Sequence, residues 1–431
     1  MSLELTLGLL ALFIVAALGR PVAMAIIVGV IVYLGVGGKD LAIAGETMVQ
    51  RLFDGFLLLA VPLFITSANI MNAGTISNRL LGFCVAVVGR FRGGLGHVNV
   101  VASIIFSGMS GSAVADAAGI GKIIIEMMVK SGSYSRGYAA AITAATATIG
   151  PIIPPSIPMV LYALVSNTSI GALFLAGIMP GLVMGVVLMS MNAWMAYRRD
   201  FGREEPTPIK QLPGITGKAF PALLMPIILL TCIYGGVTTP TEAAAIAAFY
   251  ALLLAGVLYR ALTVRSLYQI FVDSARSSAS VGLVIGASMI LTYVVVAENI
   301  PDLISNILSG LDVSPLMFLL IINILVLLLG CILDATVIIL VIVPLFIPTL
   351  RTLGIDPVHF GVLIVINSMI GLITPPYGIL LFVTNAVTGI PLKEIIREIW
   401  AFLVVLLIAL GFLILNPNFV LFLPRMFGYQ G

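Results

Sequence analysis

Charge is what this sequence has least of. Of its 431 residues, 9% are Asp, Glu, Lys or Arg and 61% are hydrophobic. A soluble domain carries roughly 25% charged residues. A chain so poor in charge cannot clothe a water-facing surface, which excludes a soluble enzyme, a nucleic-acid binder and a disordered protein. Cysteine is also scarce. Cys84, Cys232 and Cys331 lie in apolar surroundings without metal-ligand spacing, and read as small buried residues. The two histidines, His97 and His359, are far apart and read as helix-end or loop residues. No basic segment precedes the first apolar stretch, which follows Met1, Ser2, Leu3 and Glu4, so a cleaved signal is not expected.

What is present is length without charge. No Asp, Glu, Lys or Arg occurs from Gly137 to Tyr197, from Pro357 to Leu392 or from Ile399 to Pro424. A spanning helix needs roughly 20 such residues. With a mean hydropathy of +1.20, the chain reads as an all-α polytopic membrane protein. A membrane β-barrel would show short alternating segments instead. The most polar long segment, 198–218, holds Arg198, Arg199, Arg203, Lys210 and Lys218 among three prolines. It reads as a cytoplasmic linker by the positive-inside rule. Glu4, with no Lys or Arg before Arg20, favours an outside N-terminus. Trp194 and Trp400 read as interface anchors.

The linker separates two similar halves, 1–197 and 219–431. Gly150 precedes Pro154-Pro155 as Gly371 precedes Pro375-Pro376, at an offset of 221 (375 − 154). Pro21 and Pro240 each end an apolar stretch at an offset of 219 (240 − 21). Asp116 and Asp334 stand between these landmarks. If each half crosses an odd number of times, the second is inverted relative to the first. Both termini then face the same side, opposite the linker. Inverted repeats are a transporter architecture, with substrate and ion sites near the midplane at broken helices.

The sequence supplies such breaks. Ser107-Gly108-Met109-Ser110-Gly111-Ser112 interrupts an apolar stretch just before Asp116, and predicts the tip of a re-entrant hairpin near 94–130. An intramembrane carboxylate is costly and usually functional. Pro151, Pro154, Pro155 and Pro158 place four prolines in eight residues, which no continuous helix tolerates. An unwound segment near 148–158 would free backbone carbonyls, hard oxygen ligands suited to a small cation. The second half repeats the plan with Gly330 to Thr336 in a hairpin near 315–350 and with Thr374-Pro375-Pro376-Tyr377-Gly378 in an unwound stretch near 370–378. Two quasi-equivalent cation sites follow. Thr239-Pro240-Thr241-Glu242 reads as a helix start, its carboxylate favoured by the macrodipole.

Ser110-Gly111-Ser112-Ala113-Val114-Ala115-Asp116, Gly150-Pro151-Ile152-Ile153-Pro154-Pro155-Ser156, Thr239-Pro240-Thr241-Glu242-Ala243-Ala244 and Thr374-Pro375-Pro376-Tyr377-Gly378 occur in this order. Together they resemble the large membrane subunit of tripartite ATP-independent periplasmic (TRAP) transporters, over essentially the whole chain. The resemblance implies an ion-transporter fold working as an elevator in a bacterial or archaeal inner membrane. It implies an organic-acid substrate, a dicarboxylate or sialic acid, co-transported with two or more Na⁺. It also implies two partners, a periplasmic substrate-binding protein and a small four-helix membrane subunit. Carried over, the first ion site takes Ser110, Ser112, Gly150, Ile153 and Pro155, and the second takes Gly330, Gly371, Thr374 and Tyr377. The substrate lies between the tips, near Ser112, Asp116, Ser156, Asp334, Thr374 and Pro376. Asp116 and Asp334 either touch a ligand or orient their hairpins. The second tip departs from the first in lacking serines.

Three rival readings fit a charge-poor, twofold-repeated membrane chain less well. A binding-protein-independent Na⁺/dicarboxylate symporter shares the superfamily. An intramembrane aspartyl protease could pair Asp116 with Asp334, but neither sits in a Gly-x-Gly-Asp context. A channel lacks a filter-like sequence or a ring-forming charged segment.

Overall fold

The computed structural model describes residues 2–72, 75–304 and 313–431. Among these, regular structure is helical and no strand occurs. Six helices are long and apolar enough to cross a membrane: Ile170–Arg199, Ile209–Tyr234, Pro240–Leu258, Val264–Ala297, Ala335–Thr352 and Leu392–Leu415. The chain is a multi-pass membrane protein.

Small residues and caps set the local geometry. Leu3–Ala17 and Val22–Val36 pack side by side, with Gly8 against the Gly29 backbone and the reverse. A Cβ at either glycine would fall 2.9 Å from the other's carbonyl oxygen, the close approach that small residues permit between membrane helices. Pro240–Leu253 starts with a capping box, the Thr239 hydroxyl accepting from Glu242 N and the Glu242 carboxylate from Thr239 N. Glu242 is thus occupied by its helix start. His97 and His359 both fall in first helical turns. Trp194 and Trp400 are each 51% exposed, on the outside of their helices.

The linker is shorter than the sequence suggests. Arg198 and Arg199 close the last turn of Ile170–Arg199, where cations complement the macrodipole. The next helix begins at Leu212 with a proline in its first turn. Only 200–208 is irregular.

Two helical hairpins fill the centre, each packed on an interrupted helix. The first descends as Gly94–Ser110, reverses at Gly111 (φ 59°) and returns as Ala113–Ala118 and Ile120–Lys130. Its base is tied to the linker: Gly93 N donates to Gly202 O at 3.0 Å, Glu204 N to Gly89 O at 3.2 Å, and Arg92 pairs with Asp200. The second runs as Pro315–Gly330 and returns from Ala335 to Thr352. Its base lies at the other end of the molecule. Helix Leu392–Leu415 measures the distance: Glu398 near its start pairs with Arg199 beside the linker, whereas Leu413 near its end accepts a bond from His359, just after the second hairpin. The hairpins therefore enter from opposite ends and meet tip to tip.

Each hairpin's descending arm buries an asparagine against the helix that precedes the break. Asn99 donates to the Thr143 hydroxyl at 2.6 Å and accepts from Thr146 at 2.9 Å. Asn323 accepts from Asn367 through its backbone and side-chain oxygens. The positions correspond at one offset of 224 (323 − 99 and 367 − 143). Nothing in the sequence reading singled out these pairs. A lone asparagine within an apolar stretch was the available signal, since burying an amide demands a partner.

Candidate functional site

The site is built from breaks in regular structure. After Arg136–Ala147 the chain unwinds, and it resumes helix at Ile157, N-capped by Ser156. Prolines withhold the donors that would close the gap. The carbonyls of Gly150, Ile153 and Pro155 accept no hydrogen bond among the described residues. The Pro154–Pro155 and Pro375–Pro376 peptides are both cis.

The first tip lies directly on the last of these carbonyls. The Gly111 Cα faces the Pro155 oxygen so closely that no side chain fits there. The Ser110 hydroxyl donates to Asp116 Oδ1 at 2.5 Å. Asp116 is 2% exposed. Its Oδ2 has no hydrogen-bond partner among the described residues and abuts the Gly150 Cα. A buried carboxylate oxygen left without a donor is expensive unless a cation or proton serves it. Ser112 caps the returning arm, its hydroxyl accepting from Ala115 N at 3.3 Å. Thus Ser110, Asp116 and Gly150 meet behind the tip and the Pro155 carbonyl meets Gly111, whereas the Ile153 side chain packs on Gly181.

The second tip has the same plan with other chemistry. Gly330 packs on Gly371 so tightly that a Cβ on Gly371 would fall 2.6 Å from the Gly330 Cα. Asp334 caps the returning arm, accepting from Thr336 N at 2.9 Å. It stands where Ser112 stands, at an offset of 222 (334 − 112), rather than in the role of Asp116. It is exposed where Asp116 is buried. The Thr374 hydroxyl donates to Ile370 O at 2.8 Å. Tyr377 is 52% exposed, its ring 5.0 Å from that of Phe382. Gly378 N closes the segment onto Cys331 O at 3.2 Å.

Between the tips lies a cavity of about 260 Å³. The first tip gives it Ser110 to Ala115, the second Asp334, Ala335 and Thr336, and the interrupted helices Pro151, Ile157, Pro158, Met369 and Leu372. Ser112 and Asp334, expected near substrate, line it. Asp116, Ser156, Thr374 and Pro376 do not. Asp116 sits behind the tip, and the Ser156 hydroxyl is engaged by Pro151 O and Met159 N. The remaining wall comes from Ile65, Ala68 and Asn69 of Ala60–Asn72 and from Ser277 and Val281 of Val264–Ala297. The sequence reading missed this wall, because helices distant in sequence form it and no local motif marks it. Among the described residues no Lys or Arg lines the cavity. Among the described residues no group of three or more His, Cys, Asp or Glu is arranged to hold a metal.

Comparison with known proteins agrees with this geometry. Residues 9–419 match the family model of the tripartite ATP-independent periplasmic transporter DctM component. The chain is 38% identical over 413 residues to the sialic acid TRAP transporter large permease protein SiaM of Vibrio cholerae, covering 95% of this chain and 96% of that one. It is 38% identical over 386 residues to the C4-dicarboxylate large permease DctM of Pseudomonas aeruginosa, covering 89% and 90%. It is 34% identical over 406 residues to the 2,3-diketo-L-gulonate large permease YiaN of Escherichia coli, covering 94% and 95%. In fold, it is similar to the Alcanivorax borkumensis YdaH transporter crystal structure, with TM-score 0.65 at 14% identity over 88% of this chain and 89% of that one. The relatives named are transporter permease subunits and not enzymes, and the chain belongs to the TRAP transporter family as its DctM component, a large permease subunit.

Proposed function

We propose that this chain is the substrate path of a Na⁺-driven uptake system for an organic acid, held in a bacterial inner membrane. The observation that carries the reading is the first tip, where the unpartnered Asp116 Oδ2 abuts Gly150 beside Ser110 and the unspent Pro155 carbonyl lies against Gly111. A cation there would hold the tip onto the interrupted helix. The second cation site is proposed at Gly330, Gly371, Thr374 and Tyr377. Among the described residues the cavity offers an anion no basic side chain. Its positive potential must come from helix N-termini and bound cations, which makes anion binding depend on Na⁺. Transport would then be an elevator movement of the hairpins and interrupted helices against the wall of Ala60–Asn72 and Val264–Ala297.

Orientation follows from charge. Arg90, Arg92, Arg198, Arg199 and Arg203 gather at the linker end, where Ser133 also packs on Gly202. That end is proposed to be cytoplasmic. The relatives' names suggest sialic acid, C4-dicarboxylates and 2,3-diketo-L-gulonate as candidate substrates. A separate small four-helix subunit and a periplasmic binding protein complete the proposed assembly.

The test is uptake into proteoliposomes containing the chain, its small subunit and its binding protein. A Na⁺ gradient should drive accumulation and a K⁺ gradient should not. Uptake indifferent to Na⁺ would overturn the coupling. Robust Na⁺-driven uptake by the isolated chain would favour a binding-protein-independent symporter.

A further inference from the structure

The polar groups of the cavity fall into two sets. Those on the hairpin tips are largely committed. Ser110 donates to Asp116, Ser112 caps Ala115, and Asp334 caps Thr336. Those on the facing wall are not. Asn69 lies one turn from Ile65, on the same helix face. Its Nδ2 donates to Ser274 Oγ at 2.9 Å, and Ser274 is 2% exposed. That bond fixes the carboxamide while using one of its hydrogens. The second amide hydrogen and Oδ1 have no partner among the described residues, and Asn69 lines the cavity. Ser277, one turn beyond Ser274, likewise lines the cavity with an uncommitted hydroxyl.

Resting on the transport reading above, we propose that Asn69, oriented by Ser274 and seconded by Ser277, reads neutral hydroxyl or amide groups on the substrate, and that the permease prefers a hydroxylated monocarboxylate to a dicarboxylate. The carboxylate has its place at the first tip, where the N-terminus of Ile157–Ser166 lines the cavity, away from the exposed Asp334. The far end of the substrate meets a wall that offers donors and acceptors but, among the described residues, no cation. A hydroxyl satisfies both edges of a fixed carboxamide. A second carboxylate there would be buried against neutral groups without compensation, which is costly. Sites built to bond a hydroxyl reject analogues that lack it, because their own polar groups are left unpaired.

Val281 belongs to the same wall and also lines a neighbouring apolar pocket with Leu52, Leu58 and Ile285. The polar reading is thus confined to the strip carried by Asn69 and Ser277.

The test uses the full chain purified with its small subunit, without binding protein, so that any selectivity belongs to the permease. D-gluconate and succinate are titrated in NaCl and the ligand-induced rise in Tm is followed. D-gluconate should bind more tightly than succinate. Asn69→Ala should weaken D-gluconate about tenfold, as a lost hydrogen bond does, and leave succinate unchanged. Ser277→Ala, which removes no observed hydrogen bond and carries little folding risk, should weaken D-gluconate by a smaller factor. Ser274→Ala should act in the same direction as Asn69→Ala on D-gluconate, since it frees the carboxamide. Tighter binding of succinate than D-gluconate overturns the proposal, as does a failure of both acids to shift Tm. A third overturning result is an equal drop in ligand-free Tm for Asn69→Ala and Ser274→Ala with an unchanged ligand ratio, for the pair would then only join two helices. Na⁺-driven uptake that favours succinate over D-gluconate would sink this inference and leave the transport reading standing.

Discussion

The two hairpins share a plan and differ in what occupies it. The first caps its returning arm with neutral Ser112 and hides its carboxylate, Asp116, behind the tip. The second caps with Asp334 itself, exposed at the cavity, and among the described residues has no buried carboxylate behind it. Tight packing differs as well. The first tip rests on carbonyl oxygens, while the second rests glycine on glycine. The lesson is that a duplicated scaffold keeps its geometry while its charges migrate. The first tip keeps its carboxylate inside, and the second shows its carboxylate to whatever enters.

The largest effect should come from the glycine contact. Gly371→Val would push a side chain into the Gly330 backbone, which cannot yield as a side-chain tip does. The expected cost is about 3 kcal/mol, the upper end for overpacking, seen as a collapse of Tm and of uptake. The equivalent insult at exposed Gly217, which has nothing within reach of a Cβ, should be silent. Equal outcomes would erase the packing contrast.

Next is Asp116→Asn. The isostere can still bond Ser110 but removes the charge. If the first site holds Na⁺, half-maximal uptake should need tenfold to a hundredfold more Na⁺, equivalent to about 1.4–2.8 kcal/mol. Asp334→Asn keeps the cap, since Asn and Asp cap equally well, and should shift Na⁺ dependence far less. Wild-type Na⁺ dependence in Asp116→Asn would mean that the carboxylate only orients its hairpin.

A smaller contrast separates Ser112→Ala from Thr374→Ala. Both hydroxyls were expected to serve cations alike. The structure gives Ser112 a cap worth about 1 kcal/mol, whereas Thr374 bonds back to Ile370 within its own turn. Ser112→Ala should therefore lower Tm measurably and raise the Na⁺ requirement more than Thr374→Ala does.

The smallest change is expected at the base of the first hairpin. The Arg92–Asp200 side chains are 35% and 86% exposed. Such a pair contributes at most about 1 kcal/mol, so Arg92→Ala should cost a degree or two of Tm and nothing in Na⁺ dependence. Cysteines at Gly202 and Gly431 should label from opposite sides of the membrane, and same-side labelling would break the inverted comparison itself.

How much of this was legible depended on the kind of signal. Proline and glycine announce breaks locally, so both interrupted helices and both tips could be placed from sequence. The helix start at Thr239 was legible for the same reason. The role of Asp334 was not, because a spacing that differs by a few residues between the halves masks its correspondence with Ser112. The Asn99 and Asn323 anchors and the Asn69 wall were illegible too, for they acquire meaning only when helices far apart in sequence are brought together. The linker was overdrawn because basic residues and prolines look like loop when they in fact end one helix and begin the next.

The absence of any Lys or Arg among the described residues of the cavity wall also sets the energetics of a cycle. The protein contributes no mobile positive charge from that wall, so the load is counted in ions. One monocarboxylate with two Na⁺ would move one net positive charge inward. A membrane potential of about 100 mV then adds roughly 2.3 kcal/mol of driving force per turnover. Uptake would be electrogenic, and an interior-negative voltage would concentrate substrate even where the Na⁺ gradient is shallow.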